Sequence, residues 1–254
     1  MSFLKRLFGL EKPAPAPASR DEVEMSTEGA ERVEAAAIPC QLILEARTPG
    51  FSRIGGTPLV PAGFVWPTEG QDVFSFLMQL DLSEVNDKRL PSDGYLYFFD
   101  DVARRCRVIY VRANPKDLHE MAPPPSKQDR GFKPLPIRFE EEACYPHWDS
   151  DEFRAMGLSD EDADAYEREE YGRDPGDHLL GHAYPVQEHT MQEEAHQAFP
   201  GVSKSPSEWK LLLQLGNIDE IDLYWGDGDV YYWIRAEDLA NRNFDRVFVV
   251  LQFT

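Results

Sequence analysis

The chain has 254 residues, with 46 Asp and Glu against 26 Lys and Arg, giving a formal net charge of −20. That balance argues against nucleic acid, whose phosphates must be neutralised by Lys and Arg, and against an anionic membrane surface. A 42% apolar fraction with 15 Phe, 10 Tyr and 5 Trp describes a globular protein with a sizeable core rather than a disordered one.

Three scattered cysteines (Cys40, Cys106, Cys144), without CxxC spacing, fit a reducing cytoplasm and leave no disulfide framework. No apolar run approaches the roughly 20 residues of a membrane span. Met1 to Leu10 sets Phe3, Leu4, Leu7 and Phe8 on one helical face beside Lys5 and Arg6. It is too short and too basic for a secretory signal. It reads as a frayed terminus, with docking of residues 1–10 on a partner or membrane surface as the alternative. Pro13 to Ala18 alternates Pro and Ala, a semi-rigid linker. Ser19 to Ala37 is acidic, and Thr27 is positioned to cap a helix start. Residues 1–37 are therefore predicted as a flexible tail ending in a loosely docked helix.

A strand is predicted over Cys40 to Ala46, bounded by Pro39 and by Pro49-Gly50. Gly55-Gly56, Pro58, Pro61, Gly63 and Pro67 then fix an irregular loop, which lacks the pattern of a phosphate-binding turn. Phe74 to Leu82 alternates as a strand, with Phe74, Phe76, Met78, Leu80 and Leu82 on one face and Ser75, Leu77, Gln79 and Asp81 on the other. Leu90 to Gly94 is a turn, Tyr95 to Phe99 a strand, and Cys106 to Val111 its hairpin partner.

The same order returns later. Leu77-Met78-Gln79-Leu80 is echoed by Leu212-Leu213-Gln214-Leu215, in a strand predicted over Trp209 to Leu215 with Trp209, Leu211, Leu213 and Leu215 on one face and Lys210, Leu212 and Gln214 on the other. After the second copy come the turn Trp225 to Gly228, the strand Tyr231 to Ile234, a helical turn Ala236 to Asn241 and the strand Arg246 to Gln252. Gly181 to Gln187 precedes the second copy roughly as Gly55 to Val60 precedes the first. A repeat of this length points to one supersecondary unit used twice. Between the copies, Leu135 to Phe139 is strand-like, and Phe139 to Asp177 carries fifteen Asp and Glu against three Arg. A helix is predicted over Asp160 to Tyr171, started by Ser159 and stopped by Gly172. Its like charges must be offset by packing or by a basic partner.

Few residues carry a chemical signal. His178, His182, His189 and His196 are weak metal-ligand candidates, without HExxH or CxxC and with Pro185 among them. Cys144 is the one cysteine with a nearby histidine, His147. Gln79 and Gln214 sit in apolar strands, where an unpartnered carboxamide costs roughly 1–3 kcal/mol. Either each satisfies backbone groups of a neighbouring loop, or the two form a polar floor in a cleft between the repeats, with Trp66, Tyr97 and Trp225 as aromatic walls.

As a set, Ile54-Gly55-Gly56, Pro58, Trp66-Pro67, Phe76 to Leu82, Leu90-Pro91, Gly94 and Phe98-Phe99, with Leu212 to Gln214, Trp225 to Asp227, Tyr231 to Ile234, Asp238-Leu239 and Phe244, resemble the bacterial YwqG-like family over roughly residues 40–253. The resemblance implies a duplicated fold, mixed in α and β with strands dominating, and no established activity. The expected architecture is thus α+β and β-rich: one domain over residues 38–254, with related repeats at about 40–139 and 178–254 around an acidic helical insert at about 140–177. The expected role is a non-catalytic cytoplasmic binding module without cofactor, meeting a basic protein through Glu167, Glu169 and Glu170. The alternatives are a small-ligand binder or hydrolase using the inter-repeat cleft, and a metal protein using the histidines.

Overall fold

The apolar and aromatic runs around Cys40, Phe76, Tyr95, Cys106, Leu212, Tyr231 and Phe248 become strands, because β-branched and aromatic residues buried on both sides favour the pleated backbone. The computed structural model describes residues 24–101, 105–126, 131–169, 174–187 and 190–253. The docking segment at 1–10, the proline linker, Glu170, Gly172 and His189 lie outside these, as does the Glu169 side chain. The strands are β1 (Ile38–Glu45), β2 (Arg53–Ile54), β3 (Leu59–Pro61), β4 (Thr68–Glu69), β5 (Asp72–Val73), β6 (Ser75–Asp81), β7 (Tyr95–Asp100), β8 (Cys106–Val111), β9 (Leu118–Glu120), β10 (Leu135–Cys144), β11 (His178–Leu179), β12 (Trp209–Leu215), β13 (Gly228–Arg235) and β14 (Phe248–Phe253). The helices are α1 (Thr27–Ala36), α2 (Asp151–Met156), α3 (Asp160–Glu169), α4 (Met191–Ala198) and α5 (Ala236–Ala240).

Ten strands form one antiparallel sheet in the order β14-β13-β12-β11-β1-β10-β2-β6-β7-β8. The long pair β1·β10 is its centre, running in register from Ile38 opposite Cys144 to Glu45 opposite Ile137. On either side lie a two-residue strand and then a three-strand meander. The sheet curls until it is nearly closed. The Cys106 thiol donates to the Val247 carbonyl, the Tyr232 hydroxyl to Asp100, and the Phe98 and Tyr232 rings meet edge to face at 5.3 Å.

The curl creates one inner core and two outer ones. Inside, Leu77, Met78, Leu80, Leu96 and Phe98 pack with Leu212, Leu213, Leu215, Val230 and Tyr232. Outside one meander, Phe76, Tyr95, Tyr97 and Phe99 are covered by Phe64 and Trp66, whose rings stand 5.1 Å from Tyr97 and Phe99 respectively. Outside the other, Trp209, Leu211, Tyr231 and Trp233 are covered by Met191 and Ala195 of α4.

Strict alternation along β6 and β12 is not what the structure has. Phe74 and Phe76 face the outer cluster, whereas Met78, Leu80 and Leu82 face the inner core. Trp209 and Leu211 likewise part from Leu213 and Leu215. The cause is a β-bulge in each strand, between Phe76 and Met78 and between Leu211 and Leu213. One extra residue re-aims everything after it, and the period of two restarts.

Around the central pair, Ser26 rather than Thr27 caps α1, its hydroxyl accepting the Gly29 N–H at 3.0 Å. The Ser26 backbone N–H and hydroxyl both donate to Asp162 of α3, at 2.7 and 2.8 Å. Ala165 and Tyr166 of α3 are buried as well. Packing thus offsets the like charges of this helix. Strand β10 runs five residues past the expected Phe139, to Cys144, with Glu140, Glu141 and Glu142 exposed.

Candidate ligand groove

The two glutamines are structural supports for backbone. Gln79 is fully buried; its carbonyl oxygen accepts the Leu59 N–H at 2.8 Å and its amide donates to the Phe51 carbonyl at 3.0 Å. Across the ladder, Tyr97 donates its hydroxyl to the Leu59 carbonyl at 2.7 Å. Gln214 accepts the Tyr184 N–H at 2.9 Å and donates to the Tyr184 carbonyl and to Asp229, while Tyr231 opposite it donates to the Tyr184 carbonyl at 2.8 Å. Trp66 donates its indole N–H to the Phe74 carbonyl and, like Trp225, is 5% exposed. None of these five residues lines the groove described below.

The two-residue strands before the glutamines lead into matching turns. Gly55 and Gly56 have φ of 66° and 72°; Leu180 and Gly181 have 60° and 83°. Gly55 N–H donates to the Leu77 carbonyl and Leu180 N–H to the Leu212 carbonyl. Just before each turn, Ser52 accepts the Asp81 N–H at 2.9 Å and Asp177 the Gly216 N–H at 2.7 Å.

Beneath the second turn lies a buried polar layer that sequence reasoning did not assemble. Cys40 and Cys144 are diagonal neighbours on β1 and β10, both with no exposed surface. The missing Cβ of Gly181 would stand 2.8 Å from Cys40 Cβ and 3.0 Å from Cys144 Sγ. Cys144 accepts the His182 N–H at 3.2 Å. Buried His178 has Nδ1 2.6 Å from the Gly176 carbonyl and Nε2 3.0 Å from the His182 carbonyl. Carbonyl oxygens only accept, so satisfying both places a proton on each ring nitrogen, the imidazolium form. The donating Cys40 thiol, aided by His178, holds Cys144 well below the ordinary thiol range and is itself held above it. His178 is correspondingly raised by Cys144 and its carbonyl partners against the cost of burial. Cys144 therefore meets His178, thirty-four residues on, rather than nearby His147.

The described members of the histidine set, His178, His182 and His196, have separate partners. His182 Nε2 lies 3.2 Å from the Ala36 carbonyl, and His196 on α4 pairs with Ser203 at 2.7 Å. Among the described residues no group of three or more His, Cys, Asp or Glu is arranged to hold a metal ion.

Asp177 carries a consequence for pH. Burial pushes its carboxyl up to about 7, against the Gly216 N–H, and neighbouring Asp229 adds to the rise. Folding thus favours the protonated acid, and stability falls as pH rises from the ordinary carboxylate range through about 7. Asp177→Asn keeps an acceptor for Gly216 and has no proton to lose. Urea unfolding across pH should show its stability relative to wild type improving by about 1–2 kcal/mol between about pH 4 and pH 8, a figure reduced for the partial exposure of Asp177. An unchanged or shrinking difference would contradict this.

The groove itself has two lobes that meet along Ile38, Gly181, Lys210 and Leu211. One, of about 400 Å³, is walled by His147, His182, Gln192 and Trp233. Trp233 is 5% exposed, and its indole N–H has no acceptor among the described residues. The other, of about 630 Å³, is walled by Lys88, Arg89, Leu90, Leu180, Leu239 and Arg242. Both volumes fall in the range of small-molecule sites. Among the described residues no helix is long and apolar enough to cross a membrane.

No curated protein matches the chain. A family model does, over residues 52–252, from the loop before the first glycine turn into the last strand. The chain belongs to the family described as Domain of unknown function (DUF1963).

Proposed function

We propose that this protein is a non-catalytic binding protein whose ligand occupies the two-lobed groove at the junction of two duplicated halves. The duplication, and with it the finer YwqG-like assignment, is supported by paired contacts: a bulge at Leu77 and Leu212, glutamines that accept the N–H of Leu59 and Tyr184, tyrosines that donate to the carbonyls of the same two residues, and matching left-handed turns. The observation that carries the binding role is the composition of the groove wall. It draws Lys88 to Pro91 from one half and Leu180, Lys210 and Leu239 from the other, so that cationic and apolar side chains of both halves line one cavity. Cys144 and the doubly protonated His178 are neighbours, but both are buried and engaged with backbone, so their role is to hold the central strands.

Ala240 lines the larger lobe and is exposed at the end of α5, so tryptophan there fills the lobe without entering the core. Native mass spectrometry of protein gently purified from its own host should give a small-molecule adduct that Ala240→Trp lacks. A bare wild-type chain, or an adduct that the variant retains, would overturn the reading.

The acidic face supports a second reading, a basic protein partner. Asp160, Glu161, Asp164 and Glu167 are exposed on α3, and Glu140 to Glu142 on β10. Capture experiments with wild type and with charge-reversed Glu167, Glu169 and Glu170 should differ in basic partners; identical partner sets would end this reading.

A further inference from the structure

We propose that the groove takes an anionic amphiphile, a single carboxylate or phosphate head on an apolar body; this rests on the reading of the groove as a ligand site. The chain carries a net charge of −20, yet the larger lobe is walled by four cations. Arg89 is committed: it grips Asp87 through Nε and Nη2 and donates to the Pro39 carbonyl. Lys88, Lys210 and Arg242 are exposed, and none has a carboxylate partner among the described residues. In a protein with 46 acidic side chains, three cations left without acids around one cavity are a charge arrangement that an anion completes. Among the described residues the larger lobe has no acid in its wall; Asp87, next to Lys88 in the chain, is held by Arg89, and Glu152 lines the adjoining lobe.

The rest of the wall supplies the apolar half. Leu90, Leu180, Leu211 and Leu239 are 5%, 2%, 2% and 7% exposed, and all four border the same lobe. Lys210 borders both lobes, so a head held there leaves the body free to run along Leu211. Backbone strain gathers here too. Among the described residues the non-glycine positions with positive φ are Leu180, Asp222 and Arg242, and Leu180 and Arg242 both line this lobe. Such conformations cost of order 1–3 kcal/mol and persist where the surroundings enforce them, commonly at binding sites.

The test uses the full chain and four ten-carbon probes: decanoate, decyl phosphate, decanol and decyltrimethylammonium, each titrated calorimetrically. Both anions should bind, their order identifying the preferred head. Decanol should bind at least about 10-fold more weakly, the loss expected for a charge-assisted contact. The double variant Lys210→Gln with Arg242→Gln should weaken the anions about 10-fold or more and leave decanol unchanged. Decanol binding as tightly as decanoate would overturn the charge inference and leave the groove reading standing. Binding by none of the probes would bring down the groove reading itself. Anion binding unaffected by the double variant, or tighter binding of the ammonium probe, would also overturn the proposal.

Discussion

Replacing Gly181 with alanine should cost about 3 kcal/mol of stability, from two terms that add. The first is conformational. At φ 83°, Gly181 occupies left-handed backbone that a Cβ disfavours by about 1–2 kcal/mol. The second is steric: the new methyl would lie 2.8 Å from Cys40 Cβ, 3.0 Å from Cys144 Sγ and 3.1 Å from Cys144 Cβ. None of these is the far end of a flexible side chain. They belong to the central strands β1 and β10, so relief requires those strands or the turn to move. Gly201→Ala isolates the first term, because Gly201 has φ 75° and nothing within 4 Å of its would-be Cβ. Guanidinium unfolding should place Gly201→Ala about 1 kcal/mol below wild type and Gly181→Ala about 2 kcal/mol lower still. In thermal unfolding, a 3 kcal/mol loss corresponds to roughly 6–12 °C for a chain of this size. Equal losses in the two variants would mean that close packing over the thiols contributes nothing. Because Gly181 also lines both lobes, any displacement of its turn should reshape the groove.

The strands were legible because their signal is local. Cys106–Val111 and Trp209–Leu215 form strands with the bounds their apolar runs suggest, and Asp160–Glu169 forms the helix that Ser159 begins. The faces were not legible. An alternating pattern contains no mark of a bulge, and in β6 and β12 the bulge is set by the pairing partner, with Phe76 opposite Phe99 but Met78 opposite Phe98. The groove was invisible for a related reason. Notable residue types such as Trp66, Trp225 and the glutamines drew attention, but they are anchored in packing and backbone bonds. The groove wall is built from ordinary residues, Lys88, Leu90, Lys210 and Arg242, brought together only by the closure of the sheet. Cys144 and His178 also meet only because β11 pairs with β1. Leu180 and Arg242 at positive φ mark the lobe in the structure, but φ is a property of the fold and not of the residue letter.

The glutamines supply the other large effect, and the two sites should respond differently to pH. Gln79→Leu leaves the Leu59 N–H and the Phe51 carbonyl without the side chain that satisfies them. Each orphaned buried group costs about 1–3 kcal/mol, so a loss of about 2–4 kcal/mol is expected after leucine's apolar gain is set against it. Gln214→Leu orphans the Tyr184 N–H and also removes a donor from Asp229. Burial already raises the Asp229 carboxyl, and the Gln214 amide is the largest influence that holds it down, ahead of His178. Without that amide the charged form is disfavoured further. A carboxyl raised on folding destabilises the folded state as pH climbs above its unfolded value, so the Gln214→Leu loss should grow from about pH 4 to pH 8. Gln79 touches no titrating carboxylate, so its variant should lose a constant amount over that range. Urea unfolding of both single variants and the double variant at the two pH values decides the matter. Each glutamine serves its own loop, so the two losses should add within about 0.5 kcal/mol. Strong non-additivity would instead couple the sites through the inner core, and a pH-independent Gln214→Leu would remove Asp229 from the account.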